Sequence, residues 1–428
     1  MNVMANARKI AVTALTEVES EAAYSNLTLN KFLSESDLSK SDRSFVTALF
    51  YGVLDRKMTL DFVLGGYVKT PLDKMPTFTL CALRTAIYQI MYMDRIPDSA
   101  AVNETVNIIK GSKQRYQTSF VNAVLRNVLR GGYKLPQGDS IPSLSVNYSC
   151  PERTVRELIN DYGKDTAVKL LSAALVKPPV VLRVNTLKTN SETLSQLLSD
   201  EGASVKQGDV SNSLTVENFP DMASSECFKK GLFHIQDTAS QSAVAVLAPR
   251  AGERVADLCA APGGKSFTMA QLMENKGELL AFDLYEKRVR LIEKGAKRLG
   301  ISIIKAACGD ASVKNDSLGL FDAVLCDVPC SGLGVIRRKP EIKYKPVGDF
   351  SELEGIQLKI LENAAGYLKR GGRLLYSTCT LRKAENSGII QAFLDKNPCY
   401  ELKYERTYMP HTDGSDGFYC ALLLRTGD

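Results

Sequence analysis

Apolar positions recur at helical spacing through the first third of the chain. Phe45, Ala48, Leu49, Gly52 and Val53 fall on one stripe, and Val121, Val124, Leu125, Val128 and Leu129 on another. Arg126 and Arg130 lie four apart and share a face of the last helix. Gly131 and Gly132 end that helix. Residues 1–138 therefore read as an all-helical domain. Two prolines, a glycine and an aspartate between Leu135 and Pro142 mark a linker.

A mixed segment follows, residues 148–240. The spacing predicts a helix from Pro151 to Leu175, a strand over Val180–Val184 and a short helix from Ser191 to Leu198, which makes a small α+β unit. From residue 241 to 428 strands alternate with helices. Strands are predicted at Arg254–Leu258, Glu278–Phe282, Ile301–Ala306, Phe321–Cys326, Arg373–Tyr376 and Phe418–Leu424. That rhythm predicts an α/β domain with a parallel, doubly wound sheet.

Composition narrows the class. The chain has 428 residues, 44% hydrophobic and 24% charged, enough to bury a core without covalent staples. Its ten cysteines form no C-x-x-C pair, so reduced thiols in a cytoplasmic protein are expected. No stretch approaches the ~18 apolar residues of a membrane span, so no membrane partner is expected. With only His234 and His411, neither a metal site nor histidine acid–base chemistry is readily assembled.

Net charge is a modest +6, but it is unevenly spread. Thr105 to Gly138 contains no acid, yet holds Lys110, Lys113, Arg115, Arg126, Arg130 and Lys134. Such a field attracts phosphate backbones; alone, it is also what a solvated helical face looks like.

The first strand of the last domain runs into Asp257, Leu258, Cys259, Ala260, Ala261, Pro262, Gly263, Gly264, Lys265 and Ser266. Small residues let backbone approach a ligand, and the following helix aims free N–H groups at it. Asp283, 19 residues past Gly264 at the next strand end, stands where doubly wound folds hold a ribose. A phosphate loop would need glycine where Cys259 stands, and the spacing of a dinucleotide fingerprint is absent. A nucleoside without phosphates fits better: S-adenosylmethionine. Asp310 after Gly309 adds an acid at the same sheet edge, although alone it is an ordinary turn residue.

Two cysteines lie just beyond strand ends: Cys330, in the run from Asp327 to Gly334, and Cys379, in Ser377-Thr378-Cys379-Thr380. Cys326, inside a strand, reads as an inert core thiol. A methyl transfer needs a thiol when the acceptor carbon is a poor nucleophile. A thiolate adding to C6 of cytosine makes C5 electron-rich. Asp327 is placed to grip the exocyclic amine or N3, and Lys265 to lower a thiol pKa or polarise the base. These residues alone do not say which cysteine attacks.

Residues 257–265, 327–334 with Arg337, Arg338, Pro340 and Glu341, and 377–380 resemble the motifs of the RNA cytosine-C5 methyltransferases, the Fmu/Nop2/Sun family. Residues 182–188, Gln236, Asp237 and Ser240 resemble its upstream motif, and Asp416, Gly417 and Phe418 its last. The likeness spans roughly residues 150–428, and the helical first third resembles a NusB-like RNA-binding domain. Glu341 stands where the family has aspartate, and Tyr344 where an aromatic is expected.

The resemblance implies a class I, Rossmann-like, S-adenosylmethionine-dependent methyltransferase domain behind a small α+β domain and the NusB-like one. It implies Cys379 as nucleophile at C6 and Cys330 in product release. It also implies that residues 259–265, Asp283, Asp310 and Asp327 line the cofactor pocket. Fusion to the helical domain points to the family's bacterial small-subunit branch. The expected substrate is then 16S rRNA, free or in early assembly, at the cytosine conventionally numbered 967, methylated by a monomer.

The target base must be single-stranded or flipped out. The basic run above and Arg337, Arg338, Lys339, Lys343 and Lys345 are candidates to hold phosphates, and Tyr344 to stack on a base unless it is buried. A tRNA cytosine methyltransferase, a DNA cytosine methyltransferase and a non-catalytic assembly factor are the competing readings. The motif at Cys379 speaks against the DNA enzyme, and the two intact cysteines against the last.

Overall fold

The computed structural model describes residues 3–21, 25–219, 224–344 and 350–427. Two contact-dense units emerge: Met1–Val176 with Ile336–Pro346, and Lys177–Val335 with Val347–Asp428.

The first unit is helical: α1 (Val3–Glu21), α2 (Ser25–Ser34), α3 (Lys40–Asp55), α4 (Lys57–Gly65), α5 (Thr77–Tyr92), α6 (Asp98–Lys110), α7 (Thr118–Gly131), α8 (Ile141–Tyr148), α9 (Glu152–Tyr162) and α10 (Lys164–Ala173). Ala7, Ala11 and Ala14 give α1 a small-residue face that packs in one core with Leu49, Phe50 and Val53 of α3 and Leu83 and Ile87 of α5. Each fully buried Leu, Val or Phe there contributes roughly 1.5–3 kcal/mol.

The predicted α3 stripe is rotated by about one position. Val46 and Phe50 are buried and Ala48 is exposed, because the larger side chains claim the core. On α7 the stripe holds at Val121, Val124, Leu125 and Val128, while Leu129 faces outward. The predicted linker is shorter than expected: Ser140 caps α8 by accepting from Ser143 N at 3.3 Å, and Pro142 sits in its first turn. The single helix expected from Pro151 to Leu175 is two, broken at Gly163, whose φ of 76° lies in the left-handed region.

The second unit begins with a four-stranded antiparallel sheet, order β2-β3-β1-β4, from β1 (Val180–Val184), β2 (Ser204–Gln207), β3 (Ser213–Glu217) and β4 (Phe233–Ile235). Helix α11 (Ser191–Asp200) packs Leu194 and Leu198 onto Leu182, Leu214 and Phe233 of this sheet. Strands β2 to β4 lie outside the elements that the sequence pattern predicts. Helices α12 (Glu226–Lys229) and α13 (Thr238–Leu247) lead to a seven-stranded sheet.

That sheet has the order β10-β11-β9-β8-β5-β6-β7. Its strands are β5 (Arg254–Asp257), β6 (Glu278–Asp283), β7 (Ile304–Cys308), β8 (Phe321–Asp327), β9 (Leu368–Thr378), β10 (Tyr400–Tyr408) and β11 (Phe418–Arg425). Strands β5 to β9 are parallel, as expected, and β10 and β11 add an antiparallel edge. Strand β10 escaped notice because its inter-apolar positions are charged, and β7 starts three residues later than expected.

Alternate residues feed two cores. Val255, Ala323 and Leu325 face α13, α14 (Gly264–Leu272) and α15 (Glu286–Leu299), whereas Ala256, Val324 and Cys326 face α16 (Phe350–Ala365) and α17 (Ser387–Leu394). A one-turn helix, α18 (Pro410–Asp413), precedes β11. Strand order reverses at β5, with β8 on one side and β6 on the other, so the loops after β5 and β8 diverge and open a crevice at their carboxyl ends.

Candidate active site

The loop after β5 is held by its own backbone. Ala260 N–H donates to Phe282 O at 2.7 Å and Gly263 N–H to Ala260 O at 2.8 Å. Gly263 has φ 111°, and a Cβ there would run into the Phe267 ring. The Ala261–Pro262 peptide is cis. Gly264 then starts α14, whose first N–H groups face the crevice.

Asp257, at the end of β5, is fully buried. Its Oδ2 accepts the Ser266 hydroxyl at 2.6 Å, while Oδ1 has no partner. Burial pushes its carboxyl up to about 7, so it is largely protonated below neutrality. Asp283 is 4% exposed at the end of β6; it accepts from Tyr285 N–H at 3.2 Å and pairs with Arg288 at 3.2 Å. Arg288 also donates to Ala261 O at 2.8 Å, which ties the β6 end to the loop. Asp310 is exposed at the end of β7, where Ser312 donates to its Oδ1 from both N–H and hydroxyl, holding it below the usual carboxylate range. Desolvation pushes the thiol of half-buried Cys259 far up, which disfavours its thiolate.

The two loop cysteines meet. Cys330 Sγ, beyond β8, lies 3.2 Å from Cys379 Sγ, beyond β9. Gly334 N–H donates to Cys379 O at 3.0 Å, and Gly417 N–H to Gly334 O at 2.9 Å, so three separate motifs are laced by backbone. A Cβ on Gly334 would collide with both carbonyls, which is why glycine stands there.

Lys265 Nζ, from the first turn of α14, pairs with Asp327 Oδ2 at 2.7 Å and lies 4.9 Å from the Phe418 ring centroid. Ser377 Oγ donates to Asp327 Oδ1 at 2.8 Å. Burial works against the Lys265 charge, but Asp327 more than offsets it, and Cys379 adds to the rise. By reciprocity, the ammonium favours a thiolate on Cys379. The Cys330 thiol is pushed well up, first by its contact with Cys379, then by burial and by Glu385. The arrangement is two thiols in contact, one of them, Cys330, with its pKa pushed up, and an ion pair at the same edge.

Other predicted residues fall elsewhere. Cys326 is wholly buried, as read. Lys343 is buried and the hydroxyl of half-buried Tyr344 is engaged. Within the first unit, Lys343 donates to Asp55 O at 2.9 Å and the Tyr344 hydroxyl bonds Ser149 Oγ at 2.8 Å. Glu341 is buried beside them, accepting from the Ser25 hydroxyl at 2.7 Å. Lys339 is exposed, and Lys345 lies outside the described residues. Lys110, Lys113, Arg115, Arg126, Arg130 and Lys134 are all exposed.

The upstream motif is architectural. Asn185 donates to Gly231 O and Leu299 O, both at 2.8 Å, and Gln236 accepts from Thr268 at 2.6 Å. Asp237 accepts from Asp416 N–H at 3.1 Å. His234 is buried and neutral, pushed down to about 3 by burial. Arg288, Gln357, Glu385 and Asn386, and the role of Ser377, carry no signal in the sequence pattern, because their partners lie on other elements of the fold.

A doubly wound sheet with a glycine loop at its switch point, and polar groups converging beside it, defines a Rossmann-like methyltransferase domain once its relatives are considered. The family model described as 16S rRNA methyltransferase RsmB/F matches residues 244–424, a NusB family model residues 5–130, and a RsmF/B-like ferredoxin-like domain residues 150–223. A probable ribosomal RNA small subunit methyltransferase B of Bacillus subtilis is 37% identical over 98% of this chain and 99% of its own. Its counterpart in Synechocystis is 30% identical over 99% of this chain and 100% of its own. The crystal structure of PH0851 superposes with a TM-score of 0.85 at 28% identity, covering 97% of this chain and 98% of that one. The chain belongs to the RsmB/F family of 16S rRNA methyltransferases, with a NusB domain, a ferredoxin-like domain and a methyltransferase domain in that order.

Among the described residues, no helix is long and apolar enough to cross a membrane.

Proposed function

We propose that this protein uses S-adenosylmethionine to form 5-methylcytidine in 16S rRNA, at the cytosine conventionally numbered 967, through a covalent adduct on Cys379. The observation that carries the reading is the 3.2 Å approach of Cys330 and Cys379 beside the Lys265–Asp327 pair. In this reading residues 1–138 and 148–240 engage RNA, and residues 241–428 hold the cofactor and do the chemistry.

The residues present fit the cofactor. Asp257 Oδ1 is a buried polar atom without a partner, Gly263 and Gly264 keep the loop clear of side chains, and the Asp283 carboxylate suits a ribose. The backbone of Cys259, Ala260, Ala261 and Pro262 would line the site, with Asp310 at its rim. When bound, S-adenosylmethionine supplies an electrophilic methyl group.

Cys379 as thiolate adds to C6 of the flipped cytosine, and the electron density gained at C5 directs methylation there. Asp327 accepts from the exocyclic amine and, with Lys265, orients the ring and stabilises charge gained on it. Loss of the C5 proton to a base then restores the C5–C6 double bond. The C6–S electron pair returns to Cys379, and Cys330 assists that release. The exposed basic run on α6 and α7 supplies a field for the RNA backbone.

The test is incubation of the protein with labelled S-adenosylmethionine and unmodified 16S rRNA, digestion to nucleosides and mass spectrometry. 5-Methylcytidine at one mapped position is expected. Cys330→Ala should accumulate an RNA–protein adduct, and Cys379→Ala should give neither adduct nor product. An adduct in Cys379→Ala reverses the two roles. Product from tRNA and not rRNA moves the substrate.

A further inference from the structure

The turn Lys383–Glu385 and the residue after it reach both cysteine loops. Glu385 is fully buried. Its Oε2 accepts from Ser331 N–H at 2.8 Å and from Gln357 Nε2 at 2.9 Å, and its Oε1 accepts from Arg382 at 3.1 Å. Gln357 also donates to Pro329 O at 2.9 Å. The backbone on either side of Cys330 is thus pinned, by the carboxylate directly at Ser331 and through Gln357 at Pro329. Tyr376 OH donates to Glu385 O at 2.7 Å, fastening the turn to β9.

The neighbouring Asn386, 1% exposed, does the same for the other loop. It accepts from Thr378 Oγ1 at 2.6 Å and donates to Thr380 O at 3.0 Å, bracketing Cys379. A third tie, between Ser331 Oγ and Thr380 Oγ1 at 2.7 Å, joins the two loops directly.

A buried carboxylate is costly, and a neutral glutamine would satisfy much of the same pinning. The charge therefore invites a purpose. We propose that Glu385 is a positioning residue that, besides pinning the Cys330 loop, uses its negative charge to keep the proton on Cys330 and so selects Cys379 as the nucleophile. This rests on the assignment of the two thiols made above.

Among the described residues, the titratable groups that act on Cys330 are Cys379, Glu385 and the Tyr376 hydroxyl. Glu385 is the carboxylate among them and raises the Cys330 thiol, whereas Lys265 acts on Cys379. Among the described residues the cation paired with Glu385 is Arg382, at 3.1 Å, and it is shared with Glu354 at 3.2 Å. Two adjacent thiols are chemically alike; a carboxylate bonded to the backbone next to one, and an ammonium acting on the other, make them unequal.

The experiment follows alkylation of each cysteine by iodoacetamide against pH, by peptide mass spectrometry, in the full chain. In the unsubstituted protein Cys379 should react first and Cys330 only at higher pH. Glu385→Gln should bring Cys330 alkylation down by about one pH unit and shrink the preference for Cys379 about tenfold. Gln357→Ala, which loosens the loop but leaves the charge, should slow methyl transfer without moving the Cys330 response. If Glu385→Gln does not fold, Arg382→Met gives the opposite sign, since removing the cation should shift Cys330 to higher pH. An unmoved Cys330 in folded Glu385→Gln or Arg382→Met overturns this inference alone. Cys330 reacting before Cys379 in the unsubstituted protein overturns the thiol assignment along with it.

Discussion

The glycine loop at 257–265 is one continuous run that faces the crevice mostly with backbone, whereas the thiol site gathers side chains from 327–334, 377–386 and 418. In the first, the thiol of half-buried Cys259 is pushed far up by desolvation, and the shape is set by Gly263 and by N–H to carbonyl bonds. In the second, Lys265, Asp327, Ser377 and the two thiols meet through their functional groups, placed by α14, by β8 and its loop, and by β9 and its loop. A ligand-binding loop needs clearance and aimed dipoles, which backbone provides. Covalent chemistry needs groups of specific pKa within a few ångströms, which only a fold can bring together.

The largest expected effect tests the joint between the two regions. Lys265 belongs to the loop's helix but serves the thiol site through Asp327. Lys265→Met should lower kcat by about 10²–10³-fold while cofactor KM stays within about threefold. Lys265→Arg should not rescue it, because a planar guanidinium does not replace a compact ammonium at a buried pair. A cofactor KM that rises as much as kcat falls would assign Lys265 to the loop instead.

Next come the glycines, one per region. Gly334→Ala forces apart the carbonyls of Gly417 and Cys379 and should cost about 1–3 kcal/mol of stability and about 10–100-fold in kcat. Gly263→Ala meets both an unfavourable φ of 111° and the Phe267 ring. It should act mainly on cofactor KM, raising it about tenfold. Equal effects of both substitutions on kcat and KM, in a steady-state assay, would erase the distinction.

A smaller effect concerns Asp257. Burial holds its folded-state carboxyl up at about 7, whereas an aspartate in the unfolded chain ionises near about 3.9. Between those values the folded protein keeps a proton that the unfolded chain has lost. Asp257 therefore makes stability fall as pH rises through that window, with the slope ending above about 7. Asp257→Asn should flatten this slope, so its melting temperature relative to the unsubstituted protein should rise from about pH 5 to about pH 8. A pH-independent difference would show that Asp257 is ionised throughout.

The smallest effect is the sharpest contrast. Cys259→Ala should leave turnover within about threefold, at a stability cost of about 1 kcal/mol or less for the lost half-buried sulfur. A large loss of activity there would mean that the loop, too, works through a side chain.

The chain's own pattern determined a great deal. Helical stripes in the first third, a strand–turn–helix rhythm after residue 241 and the run from Asp257 to Lys265 are local features, legible because periodicity and turn chemistry act over neighbouring residues. Residues 327–334 and 377–380 could be singled out as chemical, yet nothing along the chain put Cys330 within 3.2 Å of Cys379. Adjacent parallel strands β8 and β9 did that, by carrying both loops to one sheet edge. Tertiary structure also buried Lys343 and engaged the Tyr344 hydroxyl, through residues such as Asp55 and Ser149 that are distant in sequence. It gave Glu385 and Asn386 their part as well. A polar residue in a loop shows its worth only when the fold has stripped away its water and left protein groups as its partners.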